Sequence, residues 1–296
     1  MRLILAANIK KALSVLCRGG FILLFIFVNI NVSFGQVSKK ESEKLVFFVT
    51  HPWIYLISSF IGGAEVEVST LQIWNSNGDL IRADNGKILK DLDINSKIIA
   101  LDENDSEKLG LSKQKFENIR FLYSKFPIDI NEISDPSIIP FVAHRVLVIL
   151  SEWDATNYLY YQRRLAEFQA RLSSSVLAGQ VLKGIPICAM GSTSGILLQA
   201  AGCKIEKPAP EILEQWQKGK FNGLREYLDE KNSREVIIVA DDDMPKALKK
   251  YLLSRKNVFH WVRPQLEKTD YPSFLHEQYI SLWQRIIKKP LPGNKK

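Results

Sequence analysis

Four histidines, an acidic triplet and a hydroxyl-rich triplet are the residues of this chain that could do chemistry. His51 closes the apolar run 45–50 (LVFFVT), Asp241-Asp242-Asp243 follow the apolar stretch 236–240, and Ser192-Thr193-Ser194 follow the stretch 185–190. A histidine with two carboxylates supplies donors that zinc or manganese accept. Hydroxyls opening a helix, together with the free amides of its first turn, make an anion-binding corner. Each feature also has a plainer reading. An acidic triplet before Met244-Pro245 suits a helix N-terminus stabilised by the helix dipole, Ser192 or Thr193 suits a helix cap, and His51 before Pro52 suits a loop or cap. His144 on an otherwise apolar helix and His260 within a strand read as satisfied structural residues, and His276 as a surface residue. No two of the four histidines have ligand spacing. There is no nucleophile elbow, glycine-rich phosphate loop or H-E-x-x-H stretch, and Cys188 lies inside an apolar strand where a thiolate is disfavoured. The chain therefore reads as a non-enzyme.

The elements that must position these residues follow a βαβ grammar. Residues 45–50 form a continuous apolar run of buried-strand length, 53–61 a helix stopped by Gly62-Gly63, and 66–73 a β-rich stretch. Residues 81–92 read as helical, 97–101 (KIIAL) as a short strand and 120–123 as a weaker one. Runs that are apolar throughout suit parallel strands covered on both faces. In the middle, a helix over roughly 142–153 leads into a longer one that Asp154 can cap. It runs without Gly or Pro to about Ala178, with Tyr158, Tyr161, Leu165, Phe168 and Leu172 repeating at three and four. Beyond Gly179 come a strand at 185–190, a helix at 194–201, a helical stretch at 213–231, the strand 235–240, a helix at 245–255, the strand 258–262 and a closing helix at 274–288. The expected fold is α/β: two parallel-sheet α/β lobes joined by one long backbone helix.

Length and composition agree. The 296 residues are 46% hydrophobic, 24% charged and 10% aromatic, which excludes disordered, collagenous and polytopic membrane classes and leaves room for two domains. Residues 1–20 carry four cations and no carboxylate, residues 21–30 (FILLFIFVNI) have the length of a signal-peptide apolar core, and Ser33-Phe34-Gly35 offers a cut before Gln36. A cleaved secretory signal over 1–35 is expected, and with it an exported, periplasmic location; an uncleaved anchor is the alternative. Its loss brings the formal charge from +8 to about +4, weak grounds for nucleic-acid binding. The expected organisation is a signal at 1–35, a linker at 36–44, an N-terminal lobe at 45–133, connecting helices at 134–178, a C-terminal lobe at 179–288 and a basic tail at 289–296. Cys188 and Cys203 are left as either a disulfide permitted by the compartment or two small buried hydrophobes.

Several stretches carry a family resemblance. Residues 61–71 (IGGAEVEVSTL) resemble a G-G-x-x-V-x-V-x-x-L block, 154–172 (DATNYLYYQRRLAEFQARL) a D-P-x-N-A-x-Y-Y-x-x-N-L helix start, 183–202 a K-G-x-P strand with its helix, and 206–210 (EKPAP) an E-P-K-P-G-x-P turn. In this order and spacing they resemble the metal-binding receptors of zinc and manganese ABC importers. The resemblance implies two lobes on a rigid helix, a ligand in the cleft between them, a membrane permease as partner, a monomer, and zinc or manganese as the default ligand.

Carried over position by position, the four metal ligands of that family fall on Asp79, on Ser137 of Asp135-Pro136-Ser137, on Gly191, and at or beside Arg263. One aspartate, one serine, one glycine and one arginine cannot ligate zinc or manganese, and a guanidinium repels a cation. The site reads as degenerate. Two chemistries are open to the cleft: a rebuilt metal site from His51, Asp79 and Asp241, or a small organic or anionic solute held by Ser192, Thr193 and Arg263 with Trp74 lining the other lobe. The expected function is an exported solute-binding protein with a degenerate metal site and a possible change of ligand. The alternative is a non-transporting pseudo-receptor acting as a protein-interaction module.

Overall fold

The computed structural model describes residues 43–112, 115–127 and 130–288. The signal, most of the linker and the basic tail expected from the sequence lie outside them. Two separate four-stranded sheets organise the chain. The first, of β1 (Leu45–Val49), β2 (Val66–Thr70), β5 (Ile98–Ala100) and β6 (Ile119–Phe121), runs β2-β1-β5-β6 with every pair parallel. The second, of β7 (Pro186–Ala189), β8 (Lys204–Glu206), β9 (Ile237–Asp241) and β10 (Val258–Trp261), runs β10-β9-β7-β8, again parallel throughout. A third, two-stranded sheet pairs β3 (Gln72–Trp74) with β4 (Leu80–Arg82).

Helix α1 (Pro52–Gly62) leaves β1 with nine of its eleven residues buried. Helices α2 (Lys87–Asp91) and α3 (Glu103–Glu107) are short; α4 (Ile139–Trp153) leads into α5 (Tyr158–Gly179). In the second half follow α6 (Ser192–Ala200), α7 (Pro210–Gln217), α8 (Leu224–Ser233), α9 (Lys246–Leu253) and α10 (Tyr271–Ile287). The 22 residues of α5 span about 33 Å. Its buried stripe, Tyr161, Leu165, Phe168 and Leu172, is the one that the three-and-four spacing selects; Tyr158, placed on that stripe by the sequence, is exposed at 40%. A single core runs along α1, α4, α5 and α10 and reaches Phe47 in one sheet and Ile187, Val239 and Trp261 in the other. Contact between α5 and α10 is close enough that a Cβ on Gly179 would lie 2.6 Å from the Tyr279 ring.

Several expectations need correction. Asp154 does not cap α5: a 3-10 turn over Ala155–Asn157 intervenes, and the carboxylate accepts from Asn157 Nδ2 at 2.8 Å and the Tyr161 hydroxyl at 2.6 Å. The stretch 81–92 begins as a strand and ends as the short α2, because Gly86 at φ 79° breaks it. The stretch 213–231 divides into α7 and α8 at Gly219 and Gly223, both with positive φ. Strand β1 is not covered throughout: Phe47 and Val49 are buried, while Val46 is half exposed. The two cysteines are free and separately partnered, Cys188 beside Tyr227 Oη at 3.4 Å and Cys203 donating to the Leu182 carbonyl. No helix among the described residues is long and apolar enough to cross a membrane.

Candidate interlobe site

In an open parallel sheet, the crevice where successive connections leave in opposite directions lies beyond the carboxyl ends of the strands. The strand orders put that crevice between β1 and β5 in one lobe and between β7 and β9 in the other. Residues 50–51, 190–194 and 241–243 are therefore the ones the topology delivers to the cleft.

His51 follows β1 and is the N-cap of α1, its Nδ1 accepting from the Trp53 amide at 3.2 Å. It is 3% exposed. Burial first, then the charges of Arg263 and Lys108, bring its pKa down to about 3. The imidazole is neutral at pH 7, with Nδ1 engaged by the amide and the proton left to Nε2. That is a capping role, the plainer of its two readings.

On the facing lobe, the free amides at the start of α6 are capped by carboxylates from the loop after β9 rather than by their own hydroxyls. Asp241 Oδ2 accepts from the Ser194 amide at 2.7 Å. Asp243 Oδ2 accepts from Ser192 Oγ at 2.9 Å, Thr193 Oγ1 at 3.0 Å and the Thr193 amide at 3.4 Å. The anion-binding corner exists, and the anions in it belong to the chain. Gly191 belongs to the same arrangement, since a Cβ there would fall 2.3 Å from Asp241 Cγ. The outer oxygens, Asp241 Oδ1 and Asp243 Oδ1, are both buried without a donor. Burial, then the adjacent Asp243 charge, raises the Asp241 pKa well above its ordinary value.

Arg263, just past β10, completes the cluster. Its Nη2 lies 3.4 Å from Asp243 Oδ2, with the two side chains 14% and 11% exposed. Its guanidinium stacks on the Trp74 ring at 4.8 Å, and Trp74 packs on Trp53 at 4.9 Å. Burial works against the Arg263 charge and lowers its pKa, while Asp243, Asp241, Asp242 and Asp79 support the charge; arginine does not lose its proton under such conditions. Asp242 turns the other way, accepting from His260 Nε2 at 2.8 Å, Lys249 Nζ at 3.2 Å and the Arg263 amide at 3.1 Å. Burial alone would raise its pKa, but these donors lower it overall.

The β3–β4 hairpin brings the first lobe onto this cluster. Asn75 closes its turn by accepting from the Asn77 and Asp79 amides and donating to the Asp79 carboxylate. Gly78 at the tip, φ 83°, is backed so closely by the Asp242-Asp243 backbone that a Cβ would lie 2.1 Å from Asp243 Cα. Lys249 of the second lobe donates to the Ser76 carbonyl of the tip.

The residues expected in the cleft thus separate. His51, Trp74, Gly191, Ser192, Thr193, Asp241 and Arg263 belong to it. Asp79 is exposed on the hairpin turn and reaches Arg263 through charge alone. Ser137 lies elsewhere: its amide and hydroxyl bond Asp135, and it lines a groove with Val176, Ile196 and Gln199. The latter two sit on the far half of α6, some 6–10 Å along the helix from its N-terminus. His144 is exposed rather than a satisfied core residue; His260 is held by Asp242, and His276 is exposed. Asp243 belongs to the acidic triplet that the sequence offers, but reading the triplet as one helix-start feature hides that its members point in different directions. The visible signal is an arginine two residues past the neighbouring strand.

With Arg263 in place against Asp243, zinc and manganese do not fit this donor set. Among the described residues no group of three or more His, Cys, Asp or Glu is arranged to hold a metal ion, His51 spends Nδ1 on its cap, and the guanidinium lies against the carboxylates.

No family model matches the chain, and no curated protein matches it by sequence. Solved structures do match. The crystal structure of ZnuA superposes at TM-score 0.59 with 14% identity, covering 82% of this chain and 99% of that one. FpvC from Pseudomonas aeruginosa, a solute-binding protein solved with Mn2+, gives 0.55 and 16%, covering 83% and 97%. A zinc-bound mutant of AdcAII from Streptococcus pneumoniae gives 0.58 and 15%, covering 82% and 99%. The chain shares the fold of these metal-binding solute-binding proteins over nearly their whole length.

Proposed function

We propose that the protein is an exported receptor of an ABC importer, built on the zinc- and manganese-receptor fold, whose interlobe site has lost that metal chemistry. The supporting observation is the pairing of two parallel sheets, each presenting its switch-point loops to one cleft, with an unbroken α5 behind them. Such a rigid connection limits lobe movement and keeps the two outer surfaces in the relation a permease reads. Partnership with a membrane permease, a monomeric receptor and export through residues 1–35 belong to the same reading. No nucleic-acid role is part of it.

The Asp241–Asp243 occupancy of the α6 corner removes the anionic solute from the two open chemistries, since a bound anion would have to displace both carboxylates. Cross-linking the tagged full-length protein in its native envelope, followed by mass spectrometry, tests the reading. Enrichment of a permease with its ATPase, and a mature N-terminus at Gln36, are expected. Retention in the cytoplasm, or recovery with no permease, overturns it.

A further inference from the structure

We infer that the interlobe site is occupied by a cation of the chain's own, the Arg263 guanidinium, and that this tethered ion with the β3–β4 tip holds the lobes closed without a solute. A ligand closes a two-lobed protein only as far as it interacts better with the closed state than with the open one. Here the shared interaction is built in. Arg263 pairs with Asp243 of its own lobe and stacks on Trp74 of the other. The hairpin carrying Trp74 is pressed on the Asp242-Asp243 backbone at Gly78 and bonded through Lys249 to Ser76.

The surrounding chemistry is that of a cation site. Asp243, Asp241, Asp242 and Asp79 all act on Arg263. Asp241 Oδ1 and Asp243 Oδ1 are buried there without partners, and Asp241 is 1% exposed. Such an all-oxygen set suits a hard divalent ion once the guanidinium is removed. The inference concerns the cleft alone and stands whether or not a permease partner exists.

Spin labels at Glu107→Cys and Lys220→Cys, one exposed position on each lobe, test it in the mature chain from Gln36, which lacks Cys17; Cys188 and Cys203 are buried and stay unlabelled. Pulsed dipolar distances in wild type should form one narrow distribution that MnCl2 leaves unchanged. Arg263→Ala should shift and broaden the distribution, and MnCl2 should restore the short distance with binding seen as loss of the free Mn2+ signal. Gly78→Val, which wedges the tip from Asp243 while leaving both cores intact, should lengthen the distance with no gain in Mn2+ binding. A broad wild-type distribution overturns the inference, as does wild-type closure on adding Mn2+. So does Gly78→Val with the wild-type distance, or folded Arg263→Ala with neither opening nor Mn2+ binding.

Discussion

The carboxyl of Asp241 stands where a side chain on residue 191 would have to be, 2.3 Å from the Cβ that Gly191 lacks. The capped corner of α6 and the glycine at position 191 are therefore one feature. A buried acid that caps Ser194 excludes any larger residue beside it. Overpacking of this kind costs about 1–3 kcal/mol. Gly191→Ala should lower Tm by roughly 2–12 °C, taking about 2–4 °C per kcal/mol for a chain of this size. Gly191→His should lower it further instead of restoring a metal ligand. Asp241→Ala loses the Ser194 cap yet should offset much of the Gly191→Ala loss, a coupling of about 1–3 kcal/mol in a double-mutant cycle. Additive losses in thermal melts would show that the two positions do not compete for space.

His51 predicts the acid limb of the stability profile. Its folded pKa is depressed to about 3 from 6.5, so the unfolded chain takes up a proton that the folded chain refuses. Stability is fully present above about pH 6.5 and falls as pH drops toward 3, by up to about 4–5 kcal/mol at 1.36 kcal/mol per unit. Asp242 acts in the same direction, since its lowered pKa stabilises above the usual carboxylate range and is lost at lower pH. Asp241 opposes both, because its raised pKa makes the folded state the better proton binder above pH 4. His51→Asn keeps an acceptor for the Trp53 amide and carries no proton. Urea melts between pH 4 and 7 should show a shallower fall for His51→Asn than for wild type; parallel profiles would mean that His51 titrates normally.

The lobes, the long helix and most strands were legible because periodicity and apolar runs report burial directly. Tyr161, Leu165, Phe168 and Leu172 line the core for the reason their spacing gives. What escaped was local or long-range. The β3–β4 hairpin was hidden because Ile73, Trp74, Leu80 and Ile81 fit a helix-like or continuous-strand pattern until Asn75 and Asp79 are seen to close a turn. At the site, residue types at strand ends were readable and argue against zinc or manganese ligation. Their pairing was not: Asp243 meets Ser192 and Thr193 across 50 residues, a relation that one sequence does not encode in any spacing. Ser137 lies in the groove beside Val176 and Ile196, away from the cleft, a placement that carry-over along a single sequence does not reveal.

Both cysteines should resist modification in the native state. Burial raises the Cys203 thiol to about 12 and raises Cys188 above its ordinary value, and the thiolate is the reactive form. Iodoacetamide should add nothing to the folded mature protein and two equivalents after unfolding in guanidinium without reductant. A mature chain that takes up none after unfolding would contain the disulfide that this structure lacks.

The last prediction is that chelator-stripped wild-type protein shows no submicromolar zinc or manganese binding between the lobes. A dissociation constant of 1 μM corresponds to about 8.2 kcal/mol. An entering ion would have to expel Arg263 from Asp243 and Trp74, and breaking a buried charge pair costs about 3–5 kcal/mol, which weakens binding by roughly 10²–10³-fold at 1.4 kcal/mol per decade. It would also meet an Asp241 whose raised pKa favours the protonated form, so any residual affinity should fall as pH drops. His51 cannot compensate, because ligation through Nδ1 uncaps α1 and leaves the Trp53 amide without its acceptor. Calorimetric titrations at pH 7 with either ion should therefore be flat at micromolar protein. Tight binding of one equivalent, abolished by Asp241→Ala or His51→Ala, would show that the guanidinium yields its place and that the cleft is a working metal site.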